Sequence, residues 1–124
     1  MKTYHKKISF EHEKLLMLFL SVQNARLNNG GLFFSLHAKE RIKDRVENLE
    51  YCFNFFHSLK LKYEDIIEYT FINGDIEKAL FRVAYDNEKD IALVINKHGK
   101  ICTLYFNNKT DTHETLNKKF YAMA

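Results

Sequence analysis

The second half of this chain follows a two-residue hydrophobic period, and this feature constrains the fold more than any other. The alternating pattern is found in three runs, over residues 76–85, 91–95 and 101–106. Short polar segments at 86–89 and 97–100 separate the runs and are typical of tight turns. Because a period of two is that of a β-strand, the sequence predicts an antiparallel meander of three strands. Residues 69–72 can add a fourth, and residues 32–34 could form a short strand or an extended entry to the next helix.

Helical periodicity fills the first half. Strong helix formers without glycine extend from Glu11 to Leu27, and apolar residues cover most of the circumference, which predicts a well-buried helix. Ser35 is the expected N-cap of a second helix that begins near Leu36. The expected core stripe of that helix is Ala38, Ile42, Val46 and Leu49. Residues 49–59 continue the helical pattern, and residues 63–68 predict one more short turn of helix.

Helices that precede a run of strands indicate an α+β protein, with N-terminal helices packed on an antiparallel sheet of three to four strands. With 124 residues, the chain has the length of one domain. We therefore expect a single domain over residues 1–124. Its helical part is expected over 1–68, and its antiparallel sheet and polar tail over 69–124.

The sequence lacks the signatures of several protein classes. Its longest apolar run, 15–20, is far shorter than the roughly 20 residues of a membrane span, and no cleavage site for a signal peptide follows it. We therefore expect a cytoplasmic protein that has no membrane partner. Cys52 and Cys102 lack metal or redox spacing and are expected to be reduced core residues. Because there is no metal-ligand motif, Walker loop, dinucleotide loop or Gly-x-Ser-x-Gly elbow, we expect neither a metal nor a cofactor.

One helix face carries a stripe of potential ligand-binding groups. His37, Arg41 and Arg45 are spaced four residues apart, so they share a face that lies about 100° from the expected core stripe. Two guanidinium groups and an imidazole there would suit a phosphate or carboxylate, because Arg binds such groups bidentately. The alternative is an ordinary solvated face in which the arginines pair with nearby carboxylates. The net charge of +3 is compatible with an anionic partner without demanding one.

A second polar segment follows the last predicted strand. It contains the potential functional residues Thr103, Asn107, Asp111, His113, Thr115 and Tyr121. His113 beside Asp111 could be an oriented general acid or base, and loops at the end of a rigid sheet often carry function. The alternative is a helix start capped by Asp111 or Thr112. The two interpretations are compatible.

These two segments resemble a known group of proteins. The motif Ser35-x-His37-Ala38-x-x-Arg41-x-x-x-Arg45 resembles the opening of small RelE-like and colicin-D-like proteins, which belong to the barnase–EndoU–colicin–RelE (BECR-like) group of ribonucleases. Residues 81–86 and 91–95, together with the polar residues from Thr103 to Tyr121, are similar to the tails of phage and mobile-element members. The resemblance covers about half of the chain and implies helices packed on a four-stranded antiparallel sheet.

The resemblance also implies a function, that of a metal-independent endoribonuclease or a toxin-like RNA-binding protein. Cleavage by attack of the RNA 2′-hydroxyl on the adjacent phosphate needs a base, an acid and positive charge at the phosphate. The acid or base would be His37 or His113, and Arg41 with Arg45 would hold the phosphate. Thr103 and Tyr121 would position groups or donate hydrogen bonds. Further substrate contacts would come from Arg82, Asn107, Asp111 and Thr115.

Two other functions remain open at this stage. The chain could be a non-catalytic phage or mobile-element protein that uses the same fold to bind a host protein or nucleic acid. Its many aromatic residues favour this alternative, among them Tyr51, Phe55, Tyr63 and Tyr69. An antitoxin or immunity protein is disfavoured by the positive net charge, because inhibitors of nucleases are usually acidic. The expected partners are therefore RNA, a cognate antitoxin or immunity protein, or a host protein.

Overall fold

The alternating half of the chain forms the antiparallel meander that its period predicts. The structure is a computed structural model that describes residues 12–110 and the backbone of residues 2–5. Its strands are β1 (Lys2–His5), β2 (Phe33–Phe34), β3 (Ile66–Ile72), β4 (Asp75–Ala84), β5 (Lys89–Asn96) and β6 (Lys100–Asn108). Its helices are α1 (Glu13–Asn28), α2 (Leu36–Arg45), α3 (Leu49–Ser58) and a short 3₁₀ helix (Tyr63–Asp65).

The described strands make one six-stranded sheet in the order β1-β3-β4-β5-β6-β2. All neighbours pair antiparallel except β2, which is parallel to β6. The α+β class is therefore confirmed, while the sheet is mixed and has more strands than the three to four expected. The two additional strands, β1 and β2, lie at the edges and contain four and two residues. Segments this short cannot show a period in the sequence.

The change from helix to strand comes earlier than predicted. Strand β3 begins at Ile66, so the helical turn predicted over 63–68 is wrong beyond Asp65. The Asp65 carboxylate accepts a hydrogen bond from the Lys62 N–H at 3.0 Å, and this closes the short 3₁₀ helix. The β-branched pair that follows favours extended backbone. Strands β1 and β2 also fall within residues 1–68, so that part of the chain is not purely helical.

The main hydrophobic core lies between the helices and one face of the sheet. Tyr69, Phe81, Leu93 and Leu104 from the four central strands are fully buried there. Helix α1 adds Phe19, whose ring stacks on that of Phe81 with 6.5 Å between centroids. The central strands are therefore held by packing against the helices as well as by their own hydrogen bonds.

Helix α1 is less buried than its composition predicts. Leu16, Phe19 and Leu20 are buried, but the outward side of the helix leaves Leu18 62% exposed and Met17 48% exposed. The helix packs on the sheet with one side only, so apolar residues on the opposite side face outward. The prediction of a well-buried helix is wrong for that side.

The core stripe predicted for the second helix is partly confirmed. Ala38 is completely buried, and Ile42 packs against the main core. Leu49, in contrast, is 49% exposed. Helix α2 ends at Arg45, and Asn48 caps a separate helix by accepting a hydrogen bond from the Tyr51 N–H at 3.0 Å. Leu49 therefore starts α3 in a new direction and does not continue the stripe.

The opposite face of the sheet, here called the second face, carries a smaller apolar cluster. Leu80, Ala92 and Val94 are its buried members, and Cys102 and Tyr105 pack against them. Cys102 and the buried Cys52 of α3 are both free thiols, as the sequence predicts. The predicted site residues Thr103 and Asn107 of β6 lie on the second face.

Replacing Ser35 with alanine is expected to lower the free energy of unfolding by about 1–2 kcal/mol. The Ser35 hydroxyl accepts from the Ala38 N–H at 3.0 Å and donates to the Cys102 carbonyl at 2.9 Å, so it caps α2 and ties it to β6. Urea denaturation measures the change. Ser58→Ala is the control, because that hydroxyl donates only to carbonyls of its own helix. Equal losses in the two variants would contradict the capping role.

Candidate nucleic-acid interface

Helix α2 runs beside strand β6 in the same direction. At its start, the Ser35 hydroxyl reaches the Cys102 carbonyl, and further along, the Arg41 guanidinium lies over the Tyr105 ring. Six helical residues advance about 9 Å and three strand residues about 10 Å, so the helix and the strand stay in step. The polar stripe of α2, formed by His37, Arg41 and Arg45, therefore runs alongside the polar side chains of β6.

Arg41 is positioned by an aromatic ring. Its guanidinium carbon lies 5.2 Å from the centroid of the Tyr105 ring, and the side chain is half-buried. Tyr105 itself packs on the second face against Ala92 and Val94. Contact with the face of a ring leaves the N–H donors in the plane of the guanidinium available to an anion. The arginine is therefore held in place without being neutralised.

His37 and Arg45 are exposed one turn before and one turn after Arg41. Among the described residues, neither arginine of the stripe forms an ion pair with the nearby carboxylates of Glu40, Asp44 or Glu47. The paired, self-neutralised face that the sequence left open is thus not observed in this part of the chain. The stripe therefore offers the half-buried Arg41 and the exposed Arg45 guanidinium groups to an anionic ligand.

A second polar cluster lies at the end of β6 where the strand leaves the sheet. The Asp90 carboxylate bridges Arg82 at 3.0 Å and Lys109 at 2.8 Å. Arg82 also donates to the Asn108 carbonyl at 3.1 Å. Asn107, directly opposite Asp90 in the register, is 7% exposed, and its side-chain nitrogen has no hydrogen-bond partner within the part of the chain that the structure describes. Arg82 and Asn107, both predicted substrate contacts, are therefore brought into one cluster.

The two clusters share the second face of the sheet. Thr103, Tyr105 and Asn107 alternate along β6, opposite Val94, Ala92 and Asp90 respectively. Because alternate residues of a strand point to the same side, these three side chains form one row. Of the predicted site residues, Thr103 and Asn107 belong to this row, Arg41 reaches it through Tyr105, and Arg82 adjoins its end.

Four predicted site residues lie outside the described residues, namely Asp111, His113, Thr115 and Tyr121. The alternative helix start at residues 111–115 lies outside them as well. The roles that the sequence suggests for these four residues therefore stay sequence predictions.

Sequence reasoning missed Tyr105, Asp90 and Lys109. In the sequence, Tyr105 is one apolar residue in an alternating run, and its contact with Arg41 depends on the position of α2. Asp90 and Lys109 are 19 residues apart and meet only because β5 and β6 pair. The available signal was the two-residue period, which puts Tyr105 on the same face as Thr103 and Asn107.

Replacing Asp90 with asparagine is expected to cost about 2 kcal/mol of stability at neutral pH, because two charged hydrogen bonds are lost. Burial alone would raise the pKa of Asp90, but hydrogen bonds from Lys109 and Arg82 and their charges outweigh it and lower the pKa below its ordinary value of 3.8. A lowered pKa stabilises the fold above that ordinary value, and this stabilisation is lost as pH falls through the lowered value. Urea denaturation at neutral and acidic pH should show the difference between variant and unmodified protein shrinking below about pH 4.

The control for this experiment is Asp44→Asn, which alters an exposed carboxylate of α2. It should change the stability by less than about 0.5 kcal/mol at either pH. If the stability difference between Asp90→Asn and the unmodified protein stayed constant as the pH was lowered, the charge of the Asp90 carboxylate would contribute nothing to stability.

Within the described residues, no helix has the length and apolarity needed to cross a membrane, and no group of three His, Cys, Asp or Glu side chains could hold a metal ion. Comparison of the chain with models of protein families, with curated proteins and with solved structures gives no match.

Proposed function

We propose that this protein binds single-stranded RNA with the polar stripe of α2 and the adjoining row of β6, and that it acts as a metal-independent endoribonuclease of toxin-like type. One observation carries the proposal. The Arg41 guanidinium lies over the Tyr105 ring, while Arg45 and His37 are exposed on the same helix face. Arginines held in this way suit RNA, because their charges bind phosphates and the plane of a guanidinium can stack on an unpaired base.

The cleavage step would use groups of this chain alone. The 2′-hydroxyl oxygen attacks the adjacent phosphorus, the bond to the 5′-oxygen breaks, and a 2′,3′-cyclic phosphate forms. A base takes the hydroxyl proton and an acid protonates the leaving oxygen. We assign one of these roles to His37, which lies one turn from Arg41, and the other to His113. Arg41 and Arg45 would stabilise the charge on the phosphate.

The remaining roles are also proposals. Thr103 and Tyr121 would position the reacting groups, and Asp111 and Thr115 would add substrate contacts. Asn107 would donate its amide, which has no partner among the described residues, to a phosphate or ribose oxygen beside Arg82. An origin in a phage or mobile element, a cytoplasmic location, and a cognate antitoxin or immunity partner are supported by the sequence resemblance alone.

The proposal is tested with end-labelled single-stranded RNA and DNA of one sequence, in buffer containing a chelator of divalent metals. We expect the protein to bind the RNA and, on longer incubation, to cut it to fragments that end in cyclic phosphate. RNA with a 2′-deoxy residue at the cleaved position should bind and resist cleavage. His37→Ala should slow the cleavage at least ten-fold while leaving binding within about three-fold.

The outcomes separate the two parts of the proposal. Binding without cleavage would contradict the nuclease activity and support the RNA-binding function. Absence of both binding and cleavage, across several RNA sequences, would overturn the proposed function.

A second candidate function is that of a non-catalytic protein that binds a host protein. It is favoured by an apolar cleft of about 170 Å³ between α1, α3 and β6, with Leu27, Leu32, Phe34 and Phe56 in its lining. Phe53 on its rim is 59% exposed. Affinity capture from host extract with unmodified protein and with Phe53→Ser tests this candidate. If the unmodified protein binds no RNA but captures one defined partner, and Phe53→Ser fails to capture that partner, the host-protein function is favoured over the nuclease.

A further inference from the structure

The outward side of α1 is an apolar surface, separate from the proposed RNA site. Leu18, Met17 and Val22 are 62%, 48% and 39% exposed, and the small residues Ser21 and Ala25 are exposed between them. No charged residue occurs from position 15 to position 25. A helix that is apolar on all sides is normally covered on all sides, and exposed apolar patches mark interaction surfaces.

We propose that a second copy of this chain covers the surface, with the two α1 helices packed antiparallel about a two-fold axis between Ser21 and Val22. Such an axis pairs positions whose numbers sum to 43. Leu18 then faces the partner's Ala25, and Val22 faces the partner's Ser21. At both of these positions a large side chain lies opposite a small one, so the centre of the surface is complementary to itself, as a two-fold interface requires.

The charges at the ends of the surface favour the same orientation. Lys14, exposed in the first turn of α1, faces the partner's Asn29, which is the C-cap residue. The C-terminal end of a helix carries partial negative charge, so a lysine there is stabilising. A parallel pair would place Lys14 against the partner's Lys14 and Leu18 against the partner's Leu18. Charge and size therefore both select the antiparallel pair.

The size of the surface sets the strength of the association. Sixteen residues make α1 about 24 Å long, so two such helices bury a few hundred Å² on each copy. A standard stable interface buries about 800 Å² on each partner. The expected dimer is therefore weak, with a dissociation constant between about 10 µM and 1 mM.

Sedimentation velocity from about 10 µM to about 1 mM measures this association. The unmodified protein should shift from monomer to dimer, and Leu18→Glu should raise the dissociation constant at least ten-fold. Leu36→Glu is the matched control, because Leu36 is 73% exposed on α2 and should leave the constant unchanged. A monomer at every concentration, a larger oligomer, or a dimer insensitive to Leu18→Glu would overturn the proposal.

Disulfide formation tests the orientation without relying on a charged substitution. Ser21→Cys lies next to the axis and should cross-link to the partner under mild oxidation, within the span a disulfide can bridge. Lys14→Cys should not, since its two copies would be about 22 Å apart. Cross-linking of Lys14→Cys, or failure of Ser21→Cys to cross-link, would overturn the antiparallel arrangement. This test holds even if circular dichroism shows that Leu18→Glu disturbs the fold.

Discussion

Replacing Phe81 with alanine is expected to lower the free energy of unfolding by about 3–5 kcal/mol. Phe81 is completely buried on the central strand β4, and its ring stacks on that of Phe19 from α1. Removing the ring leaves a cavity where the helices pack on the sheet, and a close-packed interior collapses only partly to fill it. Urea denaturation followed by circular dichroism measures the loss.

Phe33→Ala is the matched control, since it removes the same side chain from the two-residue edge strand β2. Phe33 is 50% exposed, so the change should cost less than about 1 kcal/mol. Similar losses for both variants would contradict the assignment of the main core to the space between α1 and the central strands.

The second large effect concerns the proposed RNA site. Replacing Arg41 and Arg45 together with alanine is expected to weaken binding of single-stranded RNA about 30- to 150-fold, from about 1–1.5 kcal/mol for each charge-assisted phosphate contact. Arg41 is held over the Tyr105 ring, and Arg45 follows on the same exposed face. Fluorescence anisotropy with a labelled oligonucleotide measures the affinity.

The matched control removes two lysines from the other side of the same helix. Lys39 and Lys43 are exposed, and Lys39 lies about 200° around α2 from His37. The double variant Lys39→Ala, Lys43→Ala lowers the net charge by the same two units. Because these lysines lie away from the stripe, their loss should weaken RNA binding by less than about three-fold. Equal effects of the two double variants would show that net charge, and not the stripe, determines the affinity.

Much of this fold follows from local sequence patterns. The two-residue period predicts the meander, because successive side chains of a strand point to opposite faces of the sheet. Ser35 caps α2 as its type and position predict, and Ala38 is buried as the helical spacing predicts. In each case the decisive interactions are formed by residues near one another in the chain.

Other features depend on distant residues and could not be predicted in this way. Strand β1 consists of four residues that pair with β3, far along the chain. The exposure of Leu18 depends on which elements cover α1 and not on the composition of the helix. The candidate site also has a part that sequence predicts and a part that it does not. The spacing of His37, Arg41 and Arg45 predicts a shared helix face. The contact of Tyr105 with Arg41 requires that α2 lie beside β6, which no local pattern shows.

The salt dependence of RNA binding tests the central claim most directly, because it counts the phosphates that the α2 stripe contacts. The logarithm of the binding constant for a single strand falls with the logarithm of salt concentration by about 0.7 for each phosphate neutralised. If Arg41 and Arg45 each hold one phosphate, the double alanine variant should lower this slope by about 1.4, and the Lys39 and Lys43 double variant should leave it unchanged. Identical slopes for the two double variants, or no binding by the unmodified protein, would contradict the claim.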